Sequence, residues 1–233
     1  MNPALVLTHD NLDLTKACVE SLRRQDIPVE IYMVDNSSSD GTPQWADGEK
    51  IECMRFEKNT GFSHGMNMGL DWIFRALNAS WCLCPNSDTV LPPWYYRLLL
   101  EANFPVVSGV QHINGHRVTL EDLELEPPIE PVRPHPDFSA LLWRREAWEA
   151  LGGFDESMVN YASDCDMHIR AHRADIAMNH IHVPFYHYGS ATIRNAEFFE
   201  GRRISEQAVK DGAAFRKKYG CDPGTPEYNK LFE

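Results

Sequence analysis

Short apolar runs alternate with amphipathic segments over roughly the first 90 residues of the chain. The apolar runs have the length and content of buried strands and lie at 3–9, 29–36, 51–57 and 80–86. Apolar side chains recur at helical spacing in 14–25, and again from about Met66, after the glycine-rich stretch "NTGFSHGMNMG". This alternation predicts an α/β fold with a mostly parallel, Rossmann-like central sheet that is flanked by helices.

The pattern becomes less regular after Pro93. The further elements are predicted, in chain order, as a helix at 94–103, a strand at 105–113, a strand and a short helix within 138–156, a helix at 163–176, a strand at 177–189 and one or two C-terminal helices within 195–220. Ser163 and Asp164 are the N-cap candidates of the helix at 163–176. The acidic, proline-rich stretch 121–137 cannot form a regular helix, and we expect a surface loop over the site.

Composition narrows the class of protein. The 233 residues, 43% hydrophobic and 24% charged, suit a folded chain of one large domain or two small ones. A net charge of −12 disfavours an extended nucleic-acid partner. No apolar run approaches the roughly 20 residues that span a bilayer, and the start lacks a basic signal segment. The six cysteines show no paired framework, so we expect free thiols in a cytoplasmic protein that is at most peripheral at a membrane.

Polar side chains stand where three of the predicted strands end: Thr8, Asp35 and the run 86–88. In open parallel sheets, ligands bind beyond the carboxyl ends of the strands. The carboxylate and amide in the run 86–88 offer hard oxygen ligands for Mg²⁺ or Mn²⁺. Taken alone, this run favours a plain polar turn. Because the chain has neither a P-loop nor a G-x-G-x-x-G motif, a phosphate-handling site would need a metal ion.

A series of motifs in chain order resembles family 2 glycosyltransferases of the GT-A type. The matching stretches are "VDNSSSDGT" (34–42) with Asn59, Gly61 and Asn67 after it, "LCPNSDTVLPP" (83–93), "WRREAWEALGGFDE" (143–156), "SDCDMHIR" (163–170), "YHYGSAT" (186–192) and "FRKKYG" (215–220). The second corresponds to the family's D-x-D region in an N-x-D variant, and the fourth to its E-D-x-D-x-x-x-R motif. Together they cover nearly the whole chain.

The resemblance implies a metal-dependent, inverting transfer of a sugar from a UDP- or dTDP-linked donor to a hydroxyl of a glycan, a glycolipid or another acceptor. It implies that Asp88 holds Mn²⁺ or Mg²⁺, that His187 is a second metal ligand or a contact to the diphosphate, that Asp164 is the catalytic base and that Asp166 supports it. The residues that it places on the nucleotide-sugar are Thr8, Asp35, Asn36, Asn59, Gly61, Asn67, Asn86 and Ser87. It also implies a nucleotide-sugar-binding half at 1–92, an acceptor-binding and catalytic half at 93–195 and a C-terminal helical extension at 196–233.

The chemistry of sugar transfer agrees with these roles. A bound cation neutralises the leaving diphosphate, and a carboxylate can accept the proton of the attacking hydroxyl. Simpler roles remain open, because Asp164 as an N-cap would contribute about 1 kcal/mol and Asp166 would be favoured by the helix dipole. The chain departs from the family pattern at Ser163, where glutamate is usual, and at Asn86, where an acid is usual.

Several alternatives stay open at this stage. A nucleotidyltransferase would carry a glycine-rich loop with Arg and Lys after the first strand, which "LTHDNLDLTK" lacks. A nucleotide-sugar-binding module that has lost catalysis and a DNA-base glycosyltransferase are further alternatives. His168 and His172 share a predicted helix face with Asp164, and His180 and His182 share a predicted strand face, but no zinc motif is present. The aromatic run at 94–96 could stack on a sugar, although core packing is the more common role.

Overall fold

The computed structural model describes residues 1–112, 131–134, 136, 138–188 and 198–233. Nine strands form one sheet. They are β1 (Pro3–Thr8), β2 (Glu30–Asp35), β3 (Glu52–Arg55), β4 (Trp81–Pro85), β5 (Thr89–Val90), β6 (Val106–His112), β7 (Pro131–Pro134), β8 (Ala140–Arg144) and β9 (Met178–His187). The strand order is β3-β2-β1-β4-β8-β6-β9-β5, and β7 pairs with β9.

The half of the sheet built from β1 to β4 is parallel, and antiparallel pairs complete the sheet. The pairs β1–β2, β1–β4 and β2–β3 are parallel. Strand β8 then inserts antiparallel between β4 and β6, while β6 and β9 are parallel to each other. The predicted α/β class is confirmed, and the antiparallel pairs make the sheet a mixed one.

Helices cover both faces of this sheet. They are α1 (Leu12–Arg23), α2 (Thr42–Gly48), α3 (Phe62–Asp71), α4 (Tyr95–Ala102), α5 (Arg145–Leu151), α6 (Ser163–Arg173), α7 (Phe198–Tyr219) and α8 (Pro226–Asn229). A π-helical turn, Trp72–Ala76, follows α3, and a 3₁₀ turn, Lys230–Phe232, follows α8. Among the residues that the structure describes, no helix has both the length and the apolar character needed to cross a membrane.

Helix α3 begins four residues before the predicted start at Met66, because two of its glycines are packing positions and not loop residues. A Cβ on Gly65 would lie 2.6 Å from Leu7 Cδ1, and a Cβ on Gly69 would lie 2.6 Å from Leu5 Cδ2. Glycine therefore lets α3 approach β1 closely. Helix α2 was not predicted at all, since the turn signals at 37–42 continue directly into it.

The core lies on both sides of the sheet. Alternate residues of β4 and β8 divide between two apolar clusters: Cys82 and Trp143 belong to one, and Leu83 and Leu142 to the other. This division is the two-residue period of strands. The aromatic run predicted to be core is buried, with Trp94 7% exposed and Tyr95 and Tyr96 fully inside. All six cysteines are free thiols, as expected.

Three local predictions are wrong. Residues 131–134 of the expected surface loop 121–137 form β7, while 121–130, 135 and 137 lie outside the described residues. Helix α6 is not capped by Ser163 or Asp164, because its N-cap is Ala162 in the left-handed region at φ 60°. His180 is buried and His182 exposed, since β9 has a bulge where two steps along β6 oppose four along β9.

Candidate active site

The ends of three neighbouring strands bring the predicted donor residues together. Thr8 lies beside Asp35 in the β1–β2 register, and Leu7 forms an isolated bridge with Asn86. Thr8 is buried, and its Oγ1 shares a 2.9 Å hydrogen bond with Thr15 Oγ1 on α1. The carboxyl edge of the parallel strands therefore forms one continuous polar rim.

Asp35 is a buried carboxylate with remaining capacity to accept hydrogen bonds. Its Oδ1 accepts a 3.0 Å hydrogen bond from the backbone N–H of Ser38, and the residue is fully buried. Its Oδ2 faces Arg55 Nε at 3.3 Å but accepts no hydrogen bond from the described residues. Because burying a carboxylate oxygen without a hydrogen bond is costly, the charge of Arg55 compensates this atom only in part.

Side-chain hydrogen bonds hold the turn at the start of α3. Asn59 and Gly61 belong to this turn, and Asn36 bonds to it from the end of β2. Asn36 Nδ2 donates to the Gly61 carbonyl at 3.1 Å, and its Oδ1 accepts from Thr60 N at 2.8 Å. Asn59 Oδ1 accepts from Gly61 N at 2.9 Å. Gly61 has φ +87°, and a Cβ there would lie 2.1 Å from Val159 Cγ1. The amides of both asparagines therefore position the turn, and glycine is required where the turn meets Val159.

Asp88 and His187 are adjacent although they are 99 residues apart in the chain. The antiparallel β5–β9 pair places Thr89 opposite His187, and Asp88 Oδ1 lies 3.0 Å from His187 Nε2. Their side chains are 13% and 12% exposed, so both remain accessible from solvent. Asn86 and Ser87 form the turn that leads to Asp88, and the Asn86 carbonyl accepts from Thr89 Oγ1 at 2.8 Å. The polar turn expected at 86–88 therefore also carries the Asp88 carboxylate.

Ser139 is a member of this site that the sequence did not reveal. Its Oγ lies 3.2 Å from His187 Nδ1, on the opposite side of the ring from Asp88. It stands directly before β8, whose partner β4 precedes the Asn86 turn, and Asn86 N donates to the Ser139 carbonyl at 2.7 Å. No motif marks a serine in this position. Its contact with the imidazole depends on the pairing of distant strands.

Asn67 connects α3 to the "GGFDE" segment, 152–156. Its Nδ2 donates to the Phe154 carbonyl at 3.0 Å and to Glu156 Oε1 at 2.8 Å, and its Oδ1 accepts from Phe154 N at 2.7 Å. Hydrogen bonds from Asn67 and His64 lower the pKa of Glu156. The amide of Asn67 is therefore committed to holding this segment in place.

The two acids of α6 have different surroundings. Asp166 is fully buried and is bound by Arg170 Nε at 2.7 Å, Tyr219 Oη at 2.8 Å and Lys218 Nζ at 2.6 Å. Asp164 is half-buried, and its Oδ1 accepts from Cys165 N at 2.8 Å. Within the described parts of the chain, no cation pairs with Asp164. Asp166 is thus anchored in a network, while Asp164 keeps a carboxylate that can act on a ligand.

The histidines of α6 have other partners. His168 Nε2 lies 2.8 Å from the Pro136 carbonyl, and His172 packs edge-on against the Phe232 ring. Over the described ranges, no group of three or more His, Cys, Asp or Glu is placed to hold a metal ion. Asp88 and His187 are in contact with each other but supply only two such side chains.

Comparison with known proteins identifies the family. Residues 4–149, more than half of the chain, match the model of glycosyl transferase family 2. The chain belongs to glycosyltransferase family 2. It is a glycosyltransferase, as the motif resemblance implied. No match was found among the curated proteins.

Solved structures with the same fold are also glycosyltransferases. S. aureus TarS, residues 1–349, superposes with a TM-score of 0.60 at 15% identity, covering 100% of this chain and 78% of that one. The same protein in complex with UDP gives 0.59 at 16% identity, over 95% and 72% of the two chains. The mannosyltransferase PcManGT from Pyrobaculum calidifontis, in complex with GDP-Man and Mn²⁺, superposes with a TM-score of 0.60 at 19% identity. The match covers 99% of this chain and 67% of that one. These similarities confirm the GT-A fold.

Proposed function

We propose that this glycosyltransferase moves a sugar from a nucleotide-diphosphate donor, UDP- or dTDP-linked, to an acceptor hydroxyl with inversion at the anomeric carbon. The observation that carries the proposal is the Asp88–His187 pair, 3.0 Å apart beside the carboxyl edge of the parallel strands. The TarS and PcManGT complexes with UDP and with GDP-Man and Mn²⁺ support a nucleotide donor and a divalent cation. The acceptor that we propose is a glycan or glycolipid.

The donor nucleotide lies along the rim formed by Thr8, Asp35 and the Asn86 turn. The buried Oδ2 of Asp35 accepts an N–H of the base, since it accepts no hydrogen bond from the described residues. Uracil and thymine each present one ring N–H that can make this hydrogen bond, and our choice of these two bases rests on the motif resemblance. Residues 1–92 thus form the donor half of the proposed enzyme, and 93–195 the acceptor half.

The donor atoms around Asp88 fit Mn²⁺ or Mg²⁺. A carboxylate oxygen and an imidazole nitrogen suit Mn²⁺ in particular, and Ser139 Oγ beside His187 Nδ1 fixes the ring orientation. Asp88 and His187 would hold the cation, and the phosphates of the donor would supply further oxygen ligands, as is usual for cations that bind together with a nucleotide. Bound there, the cation supplies Lewis-acid stabilisation of the leaving diphosphate.

Asp164 acts as the general base in this proposal. It accepts the proton of the acceptor hydroxyl as that oxygen attacks the anomeric carbon. The bond from this carbon to the diphosphate oxygen breaks, and the nucleotide diphosphate leaves with the electron pair. A single displacement inverts the configuration. Asp166 does not exchange protons in this scheme, because Arg170, Lys218 and Tyr219 hold it.

The test is a transfer assay with a panel of UDP- and dTDP-sugars and hydroxyl acceptors, run with Mn²⁺ and with EDTA. Asp164→Asn is expected to bind the donor normally and to lose transfer by about 100-fold or more. Asp47→Asn, an exposed residue of α2, is the matched control and should be fully active. Full transfer by Asp164→Asn would show that another residue is the base. Nucleotide binding without turnover across the panel would favour a non-catalytic binding module.

A further inference from the structure

The loop directly before the proposed base, residues 154–162, has no regular secondary structure, so its position depends on contacts from other elements. The start of α3 supplies one set. Ser63 N donates to the Val159 carbonyl at 3.0 Å, Ser63 Oγ donates to the Met158 carbonyl at 2.5 Å, and Phe62 N donates to Asn160 Oδ1 at 2.9 Å. These bonds connect the loop to the donor half.

The second set comes from one side chain of the C-terminal helix α7. Asp211 Oδ1 accepts from Val159 N at 3.0 Å, and Asp211 Oδ2 accepts from Asn160 N at 2.9 Å and Tyr161 N at 2.8 Å. Gln207 Nε2 adds a 2.6 Å bond to Oδ1. Three consecutive backbone amides therefore converge on one carboxylate, which is the geometry of an anion-binding nest.

Asp211 is fully buried, and within the described residues no cation pairs with it. Burying a carboxylate without a cation is unfavourable unless its oxygens are well bonded, as they are here. A neutral amide could not replace it fully, because its NH₂ group would face N–H donors. The negative charge of Asp211 therefore complements the backbone N–H groups of the loop, and the packing of α7 does not require it.

The bonds of Asp211 end one residue before Ala162, whose φ of 60° is strained for a residue with a Cβ. Ala162 is the N-cap of α6, and Asp164 is the second residue of that helix. A loop that is held at 159–161 fixes where α6 starts, and hence where the Asp164 carboxylate points.

We propose that Asp211 is a positioning residue that sets the place of the base Asp164 through the backbone of 159–161. The inference rests on the proposed role of Asp164. It adds a residue of the C-terminal helix α7 to those on which the transfer reaction depends. This helix lies outside the residues matched by the family model. Because Asp211 is fully buried, its loss should affect the rate of transfer and spare nucleotide binding.

The test uses the full chain with Asp211→Asn and Asp211→Ala. Transfer kcat should fall about 10- to 100-fold, as expected for a misplaced catalytic group, with the UDP dissociation constant changed by no more than about twofold. Amide hydrogen exchange of 159–162 should accelerate in both variants. Lys210→Ala, an exposed neighbour on α7, is the silent control.

Leu99→Ala controls for stability, because Leu99 is fully buried in the core cluster around α4, which includes no residue of the loop 154–162. The proposal is overturned if either Asp211 variant keeps wild-type kcat, or if Leu99→Ala at equal loss of stability lowers kcat as much. It is also overturned if exchange at 159–162 is unchanged, an outcome that does not depend on activity. If Asp164→Asn transfers normally, the assignment of the base fails, whereas normal transfer by the Asp211 variants alone refutes only the positioning role.

Discussion

Lys218 joins two acids from different parts of the candidate site, and its removal gives a sharp test of the packing described above. Its Nζ lies 2.6 Å from Asp155 Oδ2 in the "GGFDE" segment and 2.6 Å from Asp166 Oδ1 on α6. The change Lys218→Met keeps the aliphatic stem and removes the charge. Among the described side chains, the buried Asp166 then keeps Arg170 and Tyr219 as partners.

The expected loss of unfolding free energy is about 2 kcal/mol. Hydrogen bonds to charged groups contribute about 1.5–3 kcal/mol each, but the side chains of Lys218 and Asp155 are 36% and 28% exposed, so solvent screens part of this. The pKa of Asp155 points in the same direction. Burial alone would raise this pKa, but hydrogen bonds from Lys218 and Ser157 outweigh it and lower the pKa from 3.8 to about 2. By linkage the whole shift corresponds to about 2 kcal/mol, reduced to about 1 by solvent access, and Lys218 supplies part of it.

The assay is urea unfolding of wild type and Lys218→Met at several pH values. Because the folded pKa of Asp155 lies below its unfolded value, its contribution is present above 3.8 and is lost as the pH falls toward 2. The stability gap between the two proteins should therefore be largest near neutral pH and should narrow through that window.

Lys217→Met is the matched control, since Lys217 is the exposed neighbour on the same helix. It should cost less than about 0.5 kcal/mol, as is usual for surface positions. Equal stability of the two methionine variants, or a gap that does not change between neutral pH and pH 3, would show that Lys218 does not hold these acids together.

Two further predictions concern the core. Gly65→Ala should destabilise by about 1–3 kcal/mol in chemical denaturation, because its Cβ would lie 2.6 Å from Leu7 Cδ1, whereas Gly48→Ala, with nothing within 4 Å, should be neutral or slightly stabilising. Tyr95→Phe should cost about 1–2 kcal/mol in the same assay, since its buried hydroxyl donates to the Ala140 carbonyl at 2.8 Å. An unchanged midpoint for either Gly65→Ala or Tyr95→Phe would contradict the packing described here.

The hydrophobic pattern was enough to predict most strands and helices, because their buried faces repeat with the period of the element. It did not predict α2, and it placed the start of α3 too late, because Gly65 and Gly69 carry no apolar signal. Ala162 as the N-cap of α6 could not be foreseen either, since nothing local favours alanine with positive φ. The loop bonds that hold it come from elements that are distant in sequence.

The residues of the candidate site likewise divide into those that the sequence predicted and those that it did not. Motif order pointed to Asp88, His187, Asp164 and Asp166, and the structure brings Asp88 and His187 into contact. Ser139 and Asp211 follow no motif, because their contacts join residues that lie about 50 positions apart in the sequence and that only folding brings together. Asn67 is a different case, since its place was expected on the donor side and its amide is bonded to the "GGFDE" segment.

The metal and nucleotide roles stay predictions, and calorimetry of nucleotide binding tests them most directly. UDP and dTDP are titrated into wild type, Asp88→Asn and the control Asp47→Asn, each with Mn²⁺ and with EDTA. The account predicts that Mn²⁺ tightens binding by about tenfold or more, equivalent to about 1.4 kcal/mol, in wild type and Asp47→Asn and not in Asp88→Asn. Binding by wild type that is equally tight with Mn²⁺ and EDTA, or an Asp88→Asn variant that responds to Mn²⁺ as wild type does, would contradict it.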